Sequence, residues 1–443
     1  MTTFGPLFVP GQLLDAVSDG AWLEAMLETE CALASAEAAA GIVSAEEATA
    51  IADSCRPELY DIEALAREGR SVGNPAEPLV RALRERVRGQ AARYVHWGAT
   101  SQDIMDTASM LVARRGIDHI LGELDSVASD LAALAETHRS TPMAARTFLQ
   151  QAVPTTFGFK VAGWLVAVLE ARGRLLFVRT ERLAAQLGGA AGTLAPLDER
   201  GVDVLRLFSA ELGLAEPVVP WHTNRTRIAE IGAALETTAG ALGKIGLDIV
   251  LLAQTEVGEV RERGDGGSST LPQKRNPVGS TLARACAHLV SGYASVLSRA
   301  LIQEHERAAG AWHAEWEALS SAVAYTGGAA AAIAEALGGL EVDAARMRRN
   351  LELTNGLILA ERVAFSLAEQ HGRTMAHEIV REAALRAAGS GRTFKEELRA
   401  DSRIELSDEG LTSALDPSTY LGSAEVFVDR ALEQYRRELA GEA

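Results

Sequence analysis

Aromatic side chains are scarce in this sequence, since Phe, Trp and Tyr together supply only 5% of its 443 residues. Strands favour aromatic and β-branched residues, whereas the abundant alanine of this chain suits closely packed helices. The composition therefore favours a helical protein. A chain of this length can form about two or three domains and bury a large core.

Cysteine is also rare. The three cysteines, Cys31, Cys55 and Cys286, are odd in number and widely spaced, with no Cys-x-x-Cys pair and no zinc-type spacing. The sequence also lacks a phosphate-binding glycine motif. We therefore expect free, buried thiols in a reducing compartment, and neither a metal nor an organic cofactor.

Positive charge is in deficit, because 43 Lys and Arg stand against 60 Asp and Glu, and the formal net charge is -17. No block of Lys and Arg offsets this excess, so a nucleic-acid backbone would be repelled and no nucleic-acid partner is expected. An anionic substrate would need a locally positive site. Every His, Lys or Arg in a motif is therefore of interest.

Targeting and membrane signals are missing as well. No Lys or Arg precedes Arg56, so the sequence has no basic region of the kind that starts a signal peptide. The longest uncharged stretch, residues 318–334, consists mainly of Ala, Ser and Gly. Such a stretch is typical of a helix in close contact with other helices. We expect a cytoplasmic protein without a membrane span.

Proline is absent from residues 155–195, 221–271 and 278–416. Helix interiors exclude proline, so these stretches permit unusually long helices. Apolar residues three, four or seven positions apart predict one of them, at Ile228, Ile231, Leu235, Leu242, Ile245, Ile249 and Leu252. Stripes of this length usually indicate a helical bundle, within one chain or across several.

We therefore predict an all-α fold with three helical domains. Residues 1–110 form the N-terminal domain, residues 111–350 form a central bundle, and residues 351–443 form a C-terminal cap. Near the start of the chain, Ser44 and Glu47 have the spacing of a capping box and predict the beginning of a helix.

Three polar segments interrupt the helical pattern. The first segment is residues 96–107, the second segment is residues 146–156, and the loop segment is residues 266–277. Each of them could carry chemistry, and each also has a structural explanation.

The loop segment begins with Gly-Gly-Ser-Ser, a flexible stretch whose backbone N–H groups can hold an anion. Alone, it would usually be a linker between two long helices. Lys274 and Asn276, held between Pro272 and Pro277, favour a lid instead.

In the first segment, His96 and Trp97 could be a packed core pair, while Thr100 and Ser101 could cap the next helix with help from Asp103.

In the second segment, Arg146, Gln150 and Gln151 could simply mark a helix start, with Pro154 near its first turn.

Together, the three segments resemble the signature regions of the fumarase/aspartase superfamily and follow in the same order. The loop segment resembles the pattern Gly-Ser-Ser-x-Met-Pro-x-Lys-x-Asn-Pro, with Leu271 in the position of Met. The resemblance covers nearly the whole chain. Within the superfamily it is strongest to the 3-carboxy-cis,cis-muconate cycloisomerase group, through residues 94–103, 220–223, 303–307, 312–316 and 341–351.

The resemblance implies a homotetramer of three-domain protomers, in which each active site takes the three segments from three subunits. It also implies reversible β-elimination on a succinate-like group through an aci-carboxylate, a doubly charged enediolate. In the lactone-forming direction, a substrate carboxylate adds to a double bond. The expected reaction is cycloisomerisation of 3-carboxy-cis,cis-muconate to 4-carboxymuconolactone, in the protocatechuate branch of the β-ketoadipate pathway.

The resemblance also assigns roles to residues. Ser268 would transfer the proton, and Lys274 with the backbone amides of the loop segment would stabilise the aci-carboxylate. The remaining residues would bind the carboxylates of a small di- or tricarboxylate substrate: His96, Thr100, Ser101, Arg146, Gln150, Gln151, Ser269 and Asn276.

Departures from the superfamily pattern limit the leaving group. Phe148 and Gln151 replace histidines that relatives carry, and Gln273 stands where the subgroup often has His. An amine leaving group needs a proton from an acid, whereas a carboxylate does not. The sequence therefore favours lactone chemistry, or elimination of nitrite or another anion from a substituted succinate.

A non-catalytic structural homologue is a third possibility, against which the intact Ser268, Lys274 and Asn276 argue. The roles of His222, His305 and His313 stay open.

Overall fold

Helices dominate the computed structural model, which describes residues 4–264, 267, 270–271 and 273–440. The α-helices up to the second segment are α1 (Gly5–Phe8), α2 (Gly11–Ala16), α3 (Asp19–Ala39), α4 (Ala45–Ala52), α5 (Ile62–Gly69), α6 (Ala76–Arg86) and α7 (Ser101–Thr137). Those that follow are α8 (Phe157–Phe177), α9 (Gly201–Glu211), α10 (Thr226–Leu252), α11 (Val278–Arg299), α12 (Ala311–Gly338), α13 (Ala344–Leu351), α14 (Ala360–His371), α15 (Arg373–Ser390), α16 (Phe394–Ala400), α17 (Asp408–Ala414) and α18 (Ala424–Tyr435).

The long helices α7, α8, α10, α11 and α12 fall where proline is absent or rare. Every residue of the predicted stripe on α10 is buried. The helix predicted at Ser44 is confirmed as α4, because Ser44 Oγ accepts the N–H of Glu47 at 3.2 Å and the Glu47 carboxylate accepts the N–H of Ser44 at 3.0 Å.

The strands are short and antiparallel: β1 (Pro142–Thr147) pairs with β2 (Gln150–Thr156), and β3 (Val260–Glu262) pairs with β4 (Leu340–Val342). The second segment is therefore a β-hairpin, and its interpretation as a helix start is wrong. Pro154 lies within β2 opposite Ala144, beside a register shift, and the helix begins only at Phe157.

By internal contacts the chain divides into two compact units. The first unit comprises Met1–Leu124, Glu170–Lys244 and Thr281–Ala334. The second unit comprises Asp125–Leu169, Ile245–Ser280 and Glu335–Ala443. The three domains expected from the sequence stay a prediction.

Residues 318–334 lie within α12 and make close helix contacts, as predicted. A Cβ atom added to Gly328 would lie 2.3 Å from the Phe8 carbonyl oxygen, and one added to Gly327 would lie 2.0 Å from Leu13 Cδ2. Only glycine at these two positions permits Phe8 and Leu13 of the same chain to lie so close to α12. No helix in the described part of the chain is long and apolar enough to cross a membrane.

All three cysteines are free thiols, as expected from their spacing. Cys286 is buried, and burial raises its pKa to about 12. Cys31 and Cys55 are only half-buried in the first unit, so the expectation of buried thiols is confirmed for Cys286 alone. Within the described residues, no group of three or more His, Cys, Asp or Glu side chains is placed to hold a metal ion.

Candidate active site

The first segment lies in the first unit, where His96 makes an ion pair with a carboxylate of α3. His96 Nδ1 is 2.6 Å from Glu30 Oε1, and the Glu30 side chain is 1% exposed. His96 also has a left-handed backbone, with φ of +63°. Such a conformation is unfavourable for a residue with a Cβ, so the surrounding contacts must hold it.

The chain then turns at Gly98, whose φ is +74°. A Cβ at this position would lie 2.8 Å from Leu197 Cγ, so the turn needs glycine for both its conformation and its packing. Trp97 stays 41% exposed. His96 and Trp97 are therefore not the packed core pair that the sequence allowed.

Asp103 organises the start of α7. Its carboxylate accepts the backbone N–H of Thr100 at 2.9 Å, which confirms that Asp103 assists the cap. It also accepts the N–H groups of Gly188 and Gly189, at 3.0 and 2.9 Å. His222 Nε2 lies 2.7 Å from the same carboxylate, so His222 is a buried partner of Asp103. Thr100 and Ser101, both half-buried, are positioned by this arrangement.

One turn further along α7, Asp106 belongs to a buried charge cluster. Arg225 Nη1 and Nη2 donate to its two oxygens at 2.7 and 2.9 Å. The same guanidinium donates to Glu315, from Nε at 3.0 Å and from Nη2. Trp312 Nε1 and Gln303 Nε2 each donate to one of the carboxylates at 2.9 Å.

The pKa values of this cluster follow from burial and mutual attraction. Burial lowers the pKa of Arg225, but Asp106 and Glu315 raise it by more. Burial raises the pKa of Glu315, against the opposing effect of Arg225. The motifs that contain Trp221, Gln303 and Trp312 resemble the cycloisomerase group. Their side chains and Arg225 form the buried cluster around Asp106, which holds the first turns of α7.

The two remaining histidines of those motifs lie on the surface. His305 has φ of +46°, and its carbonyl accepts the Thr223 hydroxyl at 2.9 Å. His313 packs against Trp312 and Trp316, with ring centroids 5.1 and 5.0 Å apart. Neither side chain forms an ion pair with a described residue.

The second segment belongs to the second unit. Phe148 and Leu149 form the turn of the hairpin, both with positive φ, and Phe148 is fully exposed. Gln150 is also exposed, at the start of β2.

Arg146 points its charge at a buried carboxylate. Its Nη1 and Nη2 donate to the two oxygens of Glu259 at 2.9 and 2.7 Å, and Glu259 is 0% exposed. Asn350 Nδ2 donates to the same carboxylate at 2.7 Å, and Gln151 Nε2 donates to the Asn350 carbonyl at 2.8 Å. Arg146 and Gln151 are thus joined through Glu259 and Asn350, which fixes the hairpin.

The described part of the loop segment is closed by a bridge between Gly267 and Arg275. Within it, the Lys274 N–H donates to the Leu271 carbonyl at 3.0 Å. The Lys274 side chain is exposed and Asn276 is half-buried. After the loop, the Glu262 carboxylate accepts the N–H groups of Gly279 and Ser280 at the start of α11. Ser268 and Ser269 lie outside the described residues.

The predicted residues therefore fall into local groups. His96, Thr100 and Ser101 share the start of α7, and Arg146, Gln150 and Gln151 share the hairpin. The sequence did not point to their carboxylate partners. Glu30 could have been noticed, since Leu23, Glu30 and Glu37 recur every seven residues, which places the two glutamates on the same face of α3 as an apolar side chain.

The chain matches the family model described as Lyase over residues 12–292 and the model described as Adenylosuccinate lyase C-terminus over residues 356–431. It is 44% identical to the 3-carboxy-cis,cis-muconate cycloisomerase of Bradyrhizobium diazoefficiens, over 99% of this chain and 100% of that protein. It is also 47% identical to the nitrosuccinate lyase of Streptomyces davaonensis, over 94% of this chain and 91% of that protein.

The fold is similar to the crystal structure of the 3-carboxy-cis,cis-muconate lactonizing enzyme from Pseudomonas putida. The TM-score is 0.93 and the identity 43%, covering 98% of this chain and 99% of that one. The all-α fold and the superfamily resemblance predicted from the sequence are confirmed.

Proposed function

We propose, because this chain belongs to the lyase family of the fumarase/aspartase superfamily, that it cycloisomerises 3-carboxy-cis,cis-muconate to 4-carboxymuconolactone. The observation that carries the proposal is similarity over the full length to cycloisomerases, at 44% identity, with all three polar segments present. The proposed reaction is an isomerisation, so it needs no second substrate.

The proposed chemistry has two steps. A carboxylate oxygen of the substrate adds to a carbon of a double bond, and the electron pair moves onto the neighbouring carbon as an aci-carboxylate. That carbon then takes a proton, which completes the lactone. Lys274 and the amides of the loop segment would stabilise the charge, and Ser268 would deliver the proton.

The nature of the leaving group supports lactone chemistry over elimination of an amine. Reversal of the reaction expels a carboxylate, which departs without a proton from an acid. Phe148 is fully exposed at the hairpin turn, and Gln151 donates its amide to the Asn350 carbonyl. Neither side chain can supply the proton that an amine leaving group needs.

Substrate binding is assigned by segment. His96, Thr100 and Ser101 would hold one carboxylate, and Gln150 with Asn276 would hold another. Arg146 is already paired with Glu259, so its contribution would be to fix the hairpin. Charge-assisted hydrogen bonds of this kind suit a substrate with several carboxylates.

We also propose a cytoplasmic homotetramer whose active sites each combine segments from three subunits. Phe148 and Leu149, 100% and 74% exposed at the hairpin turn, support it. Large solvent-exposed apolar side chains are typical of a surface that contacts another protein subunit. Because each site would combine residues of three subunits, a dissociated protomer would be inactive.

A lyase that expels nitrite from nitrosuccinate is the second candidate, favoured by the 47% identity to the Streptomyces davaonensis enzyme. An ultraviolet assay with 3-carboxy-cis,cis-muconate, run beside an assay for fumarate and nitrite from nitrosuccinate, decides between them. We expect loss of the diene absorbance and no nitrite. Nitrite release alone would replace the first candidate by the second, and inactivity on both would favour the non-catalytic alternative.

Lys274→Met is expected to lower kcat/KM by about 10- to 150-fold, because one charge-assisted contact is worth roughly 1.5–3 kcal/mol. Arg275→Met is the matched control, since Arg275 is the neighbouring exposed cation of the same loop and has no assigned contact with substrate. Steady-state kinetics at constant ionic strength measures both variants. Equal losses would mean that the loop needs only its general positive charge.

A further inference from the structure

Two buried glutamates on α3 stand out from the rest of that helix. Glu30 is 1% exposed and Glu37 is 0% exposed, and they lie seven residues apart on the same face. Burying a carboxylate is costly unless it is paired or protonated. The two residues meet this requirement in different ways.

Glu30 has a partner, and Glu37 has none in the described part of the chain. Glu30 Oε1 is 2.6 Å from His96 Nδ1, whereas neither oxygen of Glu37 has a hydrogen-bond partner there. The other ring nitrogen of His96, Nε2, makes no hydrogen bond to any described residue. One nitrogen of His96 is therefore fixed by a carboxylate, and the other is available to a ligand.

Charged groups reach His96 from three helices. Glu30 lies on α3, Asp103 on α7 and Arg84 on α6, where Arg84 donates to the carbonyl of Val95 at 3.1 Å. Burial lowers the pKa of His96, whereas the charge and the hydrogen bond of Glu30 raise it. Asp103 raises the pKa further, Arg84 lowers it, and the net direction is upward.

Glu37 has the opposite character. Burial, with the charge of Glu30 added, raises its pKa to about 9. At neutral pH it is therefore a neutral carboxylic acid.

We propose that Glu30 is the positioning residue of His96: its carboxylate accepts the hydrogen bond of Nδ1–H and stabilises the imidazolium, whose Nε2–H is then offered to a substrate carboxylate. Glu37, by contrast, is a neutral neighbour that does not affect the protonation of His96. The inference rests on the proposed function only in naming the ligand as a carboxylate. Glu30, Glu37, Arg84, His96 and Asp103 all lie in the first unit.

The matched variants Glu30→Gln and Glu37→Gln test the proposal, because they make the same change on the same buried face. Glutamine can still accept from Nδ1–H, so Glu30→Gln removes the charge and keeps the hydrogen bond. An opposite charge in contact shifts a pKa by about 1 to 3 units. The pKa of His96 should fall by at least about one unit in Glu30→Gln and stay unchanged in Glu37→Gln.

Two measurements read this out. Histidine-labelled protein gives the titration of His96 by NMR, with His96→Gln assigning the signal. Calorimetry gives the affinity for the inert tricarboxylate tricarballylate from about pH 5.5 to 8.5. In Glu30→Gln, binding should weaken by roughly tenfold or more at pH 7.5 and recover as the pH is lowered and the ring regains its proton.

The outcomes separate this inference from the proposed function. A native His96 titration in Glu30→Gln, or the same shift in Glu37→Gln, would overturn the inference even in an active cycloisomerase. If the protein turns over neither substrate, the NMR titration and the tricarballylate affinity still decide the role of Glu30. If Glu30→Gln fails to fold, the pH dependence of tricarballylate binding in His96→Gln decides it, because loss of that dependence is required and its persistence refutes the assignment.

Discussion

Ser268→Ala is expected to reduce turnover about 100- to 10,000-fold, the usual contribution of a positioned acid–base group. The substitution removes the hydroxyl that the superfamily resemblance assigns to proton transfer. It should leave assembly and the binding of tricarballylate nearly unchanged, because the carboxylates are assigned to other side chains, which the substitution keeps. Steady-state kinetics, light scattering and calorimetry on the same preparation measure the three properties.

Ser269→Ala is the matched control for this experiment. By resemblance, the first serine of the pair carries the proton, so the second variant should lose much less activity. If both serines only shape the loop, the two losses will be small and similar. That result would end the assignment and direct attention to His96 as the proton carrier. Incorporation of deuterium next to the product carboxylate provides a second check, since that carbon must receive the proton from the enzyme or solvent.

The helices of this fold follow closely from the sequence, whereas the hairpin does not. Stripes such as that on α10 identify long helices because burial of one face repeats with the helical period. The hairpin turn is formed by Phe148 and Leu149, both at positive φ. Glycine and asparagine are the usual residues for such a turn, so its composition gave no signal. Pro154 within β2 further concealed the strand.

The polar segments could be located from the sequence, but their partners could not. His96 is 66 residues from Glu30, and Arg146 is 113 residues from Glu259. Ion pairs between distant parts of the chain leave no local periodicity. Each carboxylate lies in a buried position where an apolar side chain would satisfy the helix or loop equally well. The charge state of the site therefore depends on tertiary contacts that only the structure supplies.

The largest effect on stability is expected at Arg225, a fully buried cation between Asp106 and Glu315. Arg225→Met keeps much of the side-chain volume and removes the charge. It leaves two carboxylates buried without their cation, which typically costs about 3–5 kcal/mol. Urea denaturation at equal protein concentration measures the loss, because subunit association would otherwise contribute to the midpoint.

Arg227→Met is the control for Arg225→Met. Arg227 is half-buried two residues further along and donates to the Arg182 carbonyl at 3.1 Å, so its replacement breaks one ordinary hydrogen bond. Such a bond contributes about 0.5–1.5 kcal/mol. The two variants lose the same charge and gain the same side chain. The difference between them therefore isolates the uncompensated carboxylates.

The pH dependence identifies the cause of the loss. Burial raises the folded-state pKa of Glu315 above its ordinary value, and without Arg225, whose charge lowers that pKa, the increase becomes larger. A group with a raised folded pKa favours the native state below its unfolded pKa, and this stability is lost as the pH rises through the folded pKa. The deficit of Arg225→Met should therefore be smaller near pH 5, where Glu315 can bind a proton, than near pH 8. The Arg225 guanidinium also lies over the Trp221 ring, 4.7 Å from its centroid. A deficit that is equal at both pH values would mean that Arg225 stabilises the first unit through this packing rather than through its charge.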